Sequence, residues 1–262
     1  INKEQAMQTL LFEEAKTSDL ADILTLLFDD KAGKKRERLS DPIPPSYRLA
    51  FEAIDKDPNA HLIAVKQNNT IIGIAQLNFI VNLTYQGGVR AQIEGVRVHN
   101  NCRSQGIGKQ LFNHLIDMAK QCGCDAVKFQ KRTIEKVYSK EVLDVIRDSP
   151  WGKTNREQKM GLEFNRKEYD IINSYCKEKK IKWYCSAWDI DSQLFLRIYD
   201  LDYNKIASAM LTDIEFLKVV ADEKKYTFIS TGMSTMEQVE DAVKIFRDKN
   251  CPFELLHTNS TY

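Results

Sequence analysis

The sequence predicts an α/β chain made in two styles, a mixed sheet with flanking helices followed by parallel βα units. Two observations carry that prediction. Up to about Cys124 the apolar runs read as strands joined in hairpins, with amphipathic helices around them. After Phe129 strand-like runs alternate with helices, the order that builds a parallel sheet. A chain of 262 residues, 43% hydrophobic and 29% charged, has the length and balance for one large domain or two small ones with a proper core.

The elements follow in order. "LLFEEAKTSDLADILTLLFDD" reads as a short strand, a turn capped at Ser18-Asp19, and a helix with Leu20, Ile23, Leu24 and Leu27 on one face. "LSDPIPPSY" breaks the pattern before a second helix around 49–54. "HLIAVKQNNTIIGIAQLNFI" and "VRAQIEGVRVH" supply three strands, the first two joined at Asn68-Asn69, a hairpin signal. A helix over 108–121 comes next, with Leu111, Leu115, Ile116 and Ala119 on its apolar face. In the second half the strands are "DAVKF", "IKWYCSAW", "YNKIAS", "YTFISTG" and "FELLHT". Between the last four lie the helical runs "SQLFLRIYD", "TDIEFLKVVADE" and "TMEQVEDAVKIFRDKN", the last two with N-caps at Thr212-Asp213 and Ser234-Thr235.

Bulk properties exclude several function classes. A net charge of +1 gives no electrostatic case for nucleic acid or an anionic membrane as partner. No apolar run approaches the roughly 18 to 20 residues that span a bilayer. Ile1 opens the chain without an initiator, Met7 is the first candidate start, and no basic-then-apolar secretory pattern is seen. Cys102, Cys122, Cys124, Cys176, Cys185 and Cys251 are scattered, with no zinc-knuckle spacing. Reduced thiols in a cytoplasmic protein are the expectation.

"RSQGIG", Arg103 to Gly108, sits between the strand "EGVRVH" and the helix "KQLFNHLIDMAK". Glycines let several N–H groups converge on an anion, and the helix N-terminus adds partial positive charge. Glycine is equally at home in a strand-to-helix turn for geometry alone. With its context, the stretch from about Met7 to Cys124 resembles the GNAT superfamily of acetyl-CoA-dependent N-acetyltransferases, whose signature Arg/Gln-x-x-Gly-x-Gly/Ala the loop matches. The resemblance implies that backbone groups of Val96 and Val98 pair with the pantetheine arm. Arg103, Gln105, Gly106, Ile107, Gly108 and Lys109 would then hold the pyrophosphate. Glu94 would be the base that deprotonates the amine, a role needing a pKa raised by burial; pairing with Arg90 or Arg97 is the bland alternative. The family's closing strand, and the tyrosine that protonates the thiolate, have no counterpart after "CDAVKF".

A second set of stretches is denser: "IDMAKQCGCDAVKFQKRT", "CSAWDIDS", "YNKIASAMLT", "FISTGMST" and "CPFELLHTNSTY". Lys128 and Lys205 end two strands, Ser208, Ser230 and Thr231 offer hydroxyls at neighbouring strand ends, and Gly232 admits close backbone approach. Such convergence suits a small dianion. Strand-end serines are also common turn formers, and strand-end lysines are often solvated. From about Leu115 to Tyr262 the chain looks like the N-acetylneuraminate (sialic acid) synthase family, (β/α)8 TIM-barrel enzymes that condense phosphoenolpyruvate with an N-acetylated hexose. The resemblance implies that Lys128, Lys205, Ser208, Ser230 and Ser260 contact phosphoenolpyruvate, and that Tyr262 approaches the sugar. Ala187 and Met210 stand where the family carries a threonine and a sugar-contacting glutamate. A divalent metal, Mn or Mg, is expected for the full-length family, and its two histidine ligands have no counterpart in this sequence.

Both resemblances claim the helix at 108–121. The expectation is therefore a GNAT-like acetyl-CoA-binding domain over 7–124, overlapping a partial synthase barrel over 115–262, with the splice in or just after that helix. The "DAVKF" strand is free to join either sheet. Glu94 and Lys128 are the candidate catalytic side chains, and no metal ligand is assigned. Three function classes follow: a synthase-like condensation fused to an amine acetyltransferase, the acetyltransferase alone, or a non-catalytic acetyl-CoA-binding module with a vestigial barrel. The expected partners are phosphoenolpyruvate, an N-acetyl amino sugar and an amine. A homo-oligomer is expected through an exposed sheet edge.

Overall fold

The computed structural model describes residues 10–29, 31–81, 83–103 and 105–258. The chain divides into two compact units, one running to Cys124 and including 148–150, the other formed by 125–147 and 151 onward.

The first unit is built on an antiparallel sheet in the order β1-β2-β3-β4, comprising Leu11–Glu14, Ala60–Gln67, Thr70–Val81 and Val89–Val98. Asn68 and Asn69 turn the β2–β3 hairpin with φ of 51° and 63°, the left-handed pair that a two-residue turn requires and asparagine tolerates. Helices α1 (Leu20–Phe28), α2 (Lys31–Arg36), α3 (Pro45–Lys56) and α4 (Ile107–Gln121) accompany the sheet. Helix α1 buries Leu20, Ile23, Leu24 and Leu26; Leu27, expected on that face, is only partly buried against the same core. The expected cap at Ser18-Asp19 is also different. Asp19 makes no capping bond to the helix and instead binds Lys66 Nζ at 2.9 Å and Lys16 N–H at 2.9 Å. Glu13 takes a second Lys66 bond at 2.8 Å, so one largely buried ammonium ties β1, α1 and β2 together. Helix α4 buries Ile107, Leu111, Leu115, Ile116 and Ala119, the stripe that the sequence spacing predicts.

The second unit is a parallel sheet of β5 (Ala126–Lys131), β6 (Lys182–Ala187), β7 (Tyr203–Ile206), β8 (Tyr226–Ser230) and β9 (Phe253–Leu256), ordered as they occur in the chain. The "DAVKF" strand thus pairs with β6 and not with the antiparallel sheet. Helices α5 (Asn155–Leu162), α6 (Arg166–Lys179), α7 (Ile190–Leu196), α8 (Ile214–Ala221) and α9 (Met236–Asp248) connect the strands. Of these, α5 and α6 were not anticipated. Each of the five has a side-chain N-cap: Thr154, Asn165, Asp189, Asp213 and Thr235 accept from the backbone N–H three residues on, meeting donors the first turn leaves open.

The two faces of this sheet differ in kind. One carries Trp183, Cys185, Ala187, Ile206 and Ile229, all buried, beneath buried Tyr169, Phe216, Leu217, Ala242 and Phe246 of the helices. Burial of this apolar set stabilises the unit by roughly 1.5–3 kcal/mol per large side chain. The registers Lys128↔Tyr184, Ser186↔Lys205 and Lys205↔Phe228 put the chemically richer residues on the other face. There Tyr184, Tyr203, Tyr226 and Phe228 cover one another, with ring centroids 5.4–6.4 Å apart.

Candidate functional site

The second face of the parallel sheet collects the residues that the sequence marks. Lys128 on β5, Lys205 on β7 and Ser230 at the end of β8 share that face by register. Lys205 Nζ donates to Ile206 O at 2.7 Å and to Ser230 Oγ. Ser230 is buried, and Ser186 Oγ bonds Lys205 O at 3.4 Å from the strand alongside. Ser208, in the turn after β7, accepts from Gly232 N–H at 3.1 Å, so the loops following β7 and β8 are clipped together. Thr231 donates through N–H and Oγ to Leu256 O, at 3.1 and 3.3 Å.

Electrostatically the face is unusual. Neither lysine pairs with a carboxylate among the described residues. Desolvation, then the nearby Lys128 charge, pushes Lys205 down to about 8. Lys128 is likewise lowered, by desolvation, even though much of its side-chain surface is open to solvent. Burial also raises Tyr184 on the intervening strand. Two uncompensated cations, a buried hydroxyl and an aromatic floor make an arrangement that a small anion would relieve.

Three members of this face escaped the sequence reading: Gln130, Tyr184 and Ser186, which align with Ser186, Lys128 and Lys205 respectively. Their signal was the period-two alternation from Lys128 and Lys205, usable only once the parallel register is known. Ser260 and Tyr262 lie outside the described residues. At the end of β5 a separate network is structural: Arg132 Nε binds Glu163 at 2.7 Å, and Thr133 N–H binds Asp189 at 2.7 Å. Among the described residues no group of three His, Cys, Asp or Glu side chains is placed to hold a metal ion.

In the first unit β4 carries a bulge. The register passes from Ile74↔Arg97 to Gln76↔Glu94, and Gly95 takes a φ of 60°, a position suited to glycine. Past the bulge, His99 N–H returns to Ile72 O at 2.8 Å, so strand alternation turns Val98 toward the open edge. Arg103 Nε donates to Val98 O there at 3.1 Å, and Arg97 Nη1 to Val96 O at 3.2 Å. Arg103 therefore braces the strand end as well as entering the loop. Gly106, with φ of 79°, is the N-cap of α4 and offers no side-chain cap. Among the described residues nothing but the chain neighbours and the helix's own backbone lies within 4 Å of where a Cβ would stand at Gly106 or Gly108. The N–H groups of Ile107, Gly108 and Lys109 meet no partner among the described residues. An uncapped N-terminus facing open space is chemically apt for a phosphate. Gln105 Nε2 is spent on Asn101 O at 2.9 Å, and Lys109 is exposed.

Glu94 corrects an expectation. It is exposed and held by Gln92 Nε2 at 2.6 Å, so the burial that a base at this position was to have is missing, and neither Arg90 nor Arg97 pairs with it.

The model of the NeuB family matches residues 115–262, more than half of the chain. The chain belongs to the NeuB family. The acetyltransferase (GNAT) family model matches residues 21–137, so a GNAT domain is joined to the NeuB part and the two matches overlap through α4 and β5. The N-acetylneuraminate-9-phosphate synthase of Drosophila melanogaster is 36% identical over 147 residues, covering 55% of this chain and 40% of that protein. The N-acetylneuraminic acid (sialic acid) synthetase structure from Leptospira borgpetersenii is 26% identical with a TM-score of 0.51, covering 60% of this chain and 51% of that one. A Bacillus halodurans structure described as a transcriptional regulator is 46% identical, covering 44% of this chain and 77% of that one, with a TM-score of 0.43. The chain spans about two fifths of the length of the curated NeuB relatives it matches. No described helix is long and apolar enough to cross a membrane.

Proposed function

We propose that the NeuB part binds phosphoenolpyruvate for a sialic acid synthase-type condensation with an N-acetylated hexose, and that the GNAT domain binds acetyl-CoA to acetylate an amine. The observation that carries the reading is the pair of carboxylate-free lysines, Lys128 and Lys205, converging with Ser230 on one sheet face. In this reading both ammonium groups neutralise the phosphate and carboxylate, Ser230 and Ser208 orient them by hydrogen bonds, and the Tyr184–Phe228 rings wall the enol. The condensation in this family implies a divalent metal, and the described residues do not form its site. Six free cysteines support a reducing, cytoplasmic setting. The open outer edge of β9 supports pairing with a second copy, which sedimentation would reveal.

The acetyl-CoA reading rests on the uncapped α4 N-terminus, which fits a pyrophosphate in donors and in open space. Bound acetyl-CoA supplies the thioester; Ile107, Gly108 and Lys109 would hold its phosphates and the β4 edge its arm. The exposed Glu94 favours a second reading, a GNAT domain that holds the cofactor without rapid transfer. Calorimetric titration tests both halves: phosphoenolpyruvate should bind the wild-type chain and bind Lys205→Met about ten- to a hundredfold more weakly, and acetyl-CoA should bind both. A Lys205→Met protein that takes phosphoenolpyruvate with unchanged affinity would remove the first reading.

A further inference from the structure

Lys205 is half-buried, and its Nζ donates to two acceptors. Those acceptors are Ile206 O and Ser230 Oγ. A neutral amine, with two N–H bonds and one lone pair, satisfies both and keeps the lone pair over. The groups sharing its face are Lys128 and Gln130 on β5, Lys182, Tyr184 and Ser186 on β6, Tyr203 on β7, Tyr226, Phe228 and Ser230 on β8, and Glu254 on β9. Glu254 is engaged by Tyr226 OH at 3.2 Å and Lys182 by Asp202 and Tyr203 OH, at 3.2 and 3.3 Å, which leaves Lys128 as the charged neighbour that acts on Lys205.

We propose that Lys205 is a nucleophile as well as an anion contact, condensing with a 2-oxo acid to form an imine while Lys128 holds the acid's carboxylate. The inference rests on the anion-binding reading of this face and adds covalent chemistry to it. The Lys205 lone pair adds to the keto carbon, the oxygen takes a proton, and the carbinolamine loses water to give the imine. Amine plus 2-oxo acid thus become imine plus water, with no oxidant or reductant. The Ser230 hydroxyl, already bonded to Nζ, is placed to relay the protons. Desolvation and the Lys128 charge, which keep Lys205 near 8, supply neutral amine close to neutral pH, as lysines activated in this way do.

The test is reductive trapping. The full chain is incubated with pyruvate near pH 8, treated with borohydride, and analysed by intact mass and peptide mapping. One pyruvyl adduct is expected, on Lys205, absent from Lys205→Arg and reduced about tenfold in Lys128→Met, the loss of one charge-assisted contact. Trapping should rise with pH through about 8. Adducts spread over exposed lysines, or undiminished in Lys205→Arg, would overturn the proposal. Phosphoenolpyruvate should compete with trapping. Phosphoenolpyruvate binding without any adduct would sink the imine and spare the anion site; an adduct that phosphoenolpyruvate does not suppress would do the reverse.

Discussion

The two units treat helix N-termini in opposite ways. In the parallel unit each of the five α-helices of seven or more residues is closed by a side-chain cap, from Thr154 to Thr235. In the antiparallel unit α4 begins at Gly106 with no such cap and with open space before it. The same backbone chemistry is sealed in one place and left available in the other. The parallel unit's polar resources lie instead on side chains across the sheet face, at Lys128, Lys205 and Ser230. One site is made of main chain and the other of side chains, and substitutions should separate them.

The largest effect is expected from Leu115→Ala. Leu115 is fully buried on α4, and emptying such a position costs about 2–5 kcal/mol. Denaturant unfolding followed with each ligand should show acetyl-CoA protection weakened and phosphoenolpyruvate affinity retained; loss of both would erase the contrast. Lys205→Met comes next, since removing a charge-assisted contact should weaken phosphoenolpyruvate by about 1.5–3 kcal/mol, ten- to a hundredfold, by calorimetry. Gly106→Val puts a β-branched side chain at a φ of 79°, which costs roughly 1–2 kcal/mol and fills the cradle. The acetyl-CoA thermal shift, about 2.7 kcal/mol at a hundredfold excess over the dissociation constant, should vanish while Lys205 trapping is unchanged.

The pH dependence is smaller and has a definite sign. The folded value of Lys205, about 8, lies below its ordinary 10.5, so the unfolded chain binds more protons between them. Stability contributed by this group therefore rises from about pH 8 to 10.5, and Lys205→Met should flatten that segment of the unfolding profile. Phosphoenolpyruvate binding should run the other way, weakening as pH rises through 8. Smallest of all is Glu94→Gln: with Glu94 exposed and bound only to Gln92, acetyl-CoA affinity should stay within about twofold. A large fall in amine acetylation would favour the transferase over the binding module.

Much of this was legible because it is local. The Asn68-Asn69 turn, the caps at Asp213 and Thr235, and the α4 stripe each depend on residues a few positions apart. Helices α5 and α6 were missed because their buried sets are sparse, Asn155 in one and Tyr169 with Cys176 in the other, too few to mark a face. Asp19 looked like a cap and is claimed by Lys66, 47 positions away. The membership of "DAVKF" and the company of Lys128 depend on parallel register, which intervening helices set and which no short stretch encodes. Glu94 sits at the bulge, and whether a carboxylate there is covered depends on what lies beyond the β4 edge.

The chain-order arrangement of β5 through β9 also bears on how the protein is made. Each strand leaves the ribosome with its one upstream neighbour already synthesised, so it docks on an existing edge and never inserts between finished strands. Lys128 and Lys205 are in place once β8 has added Ser230, before Phe253 emerges. The anion face can thus form vectorially, during translation, and nascent chains arrested past Ser230 should already react at Lys205.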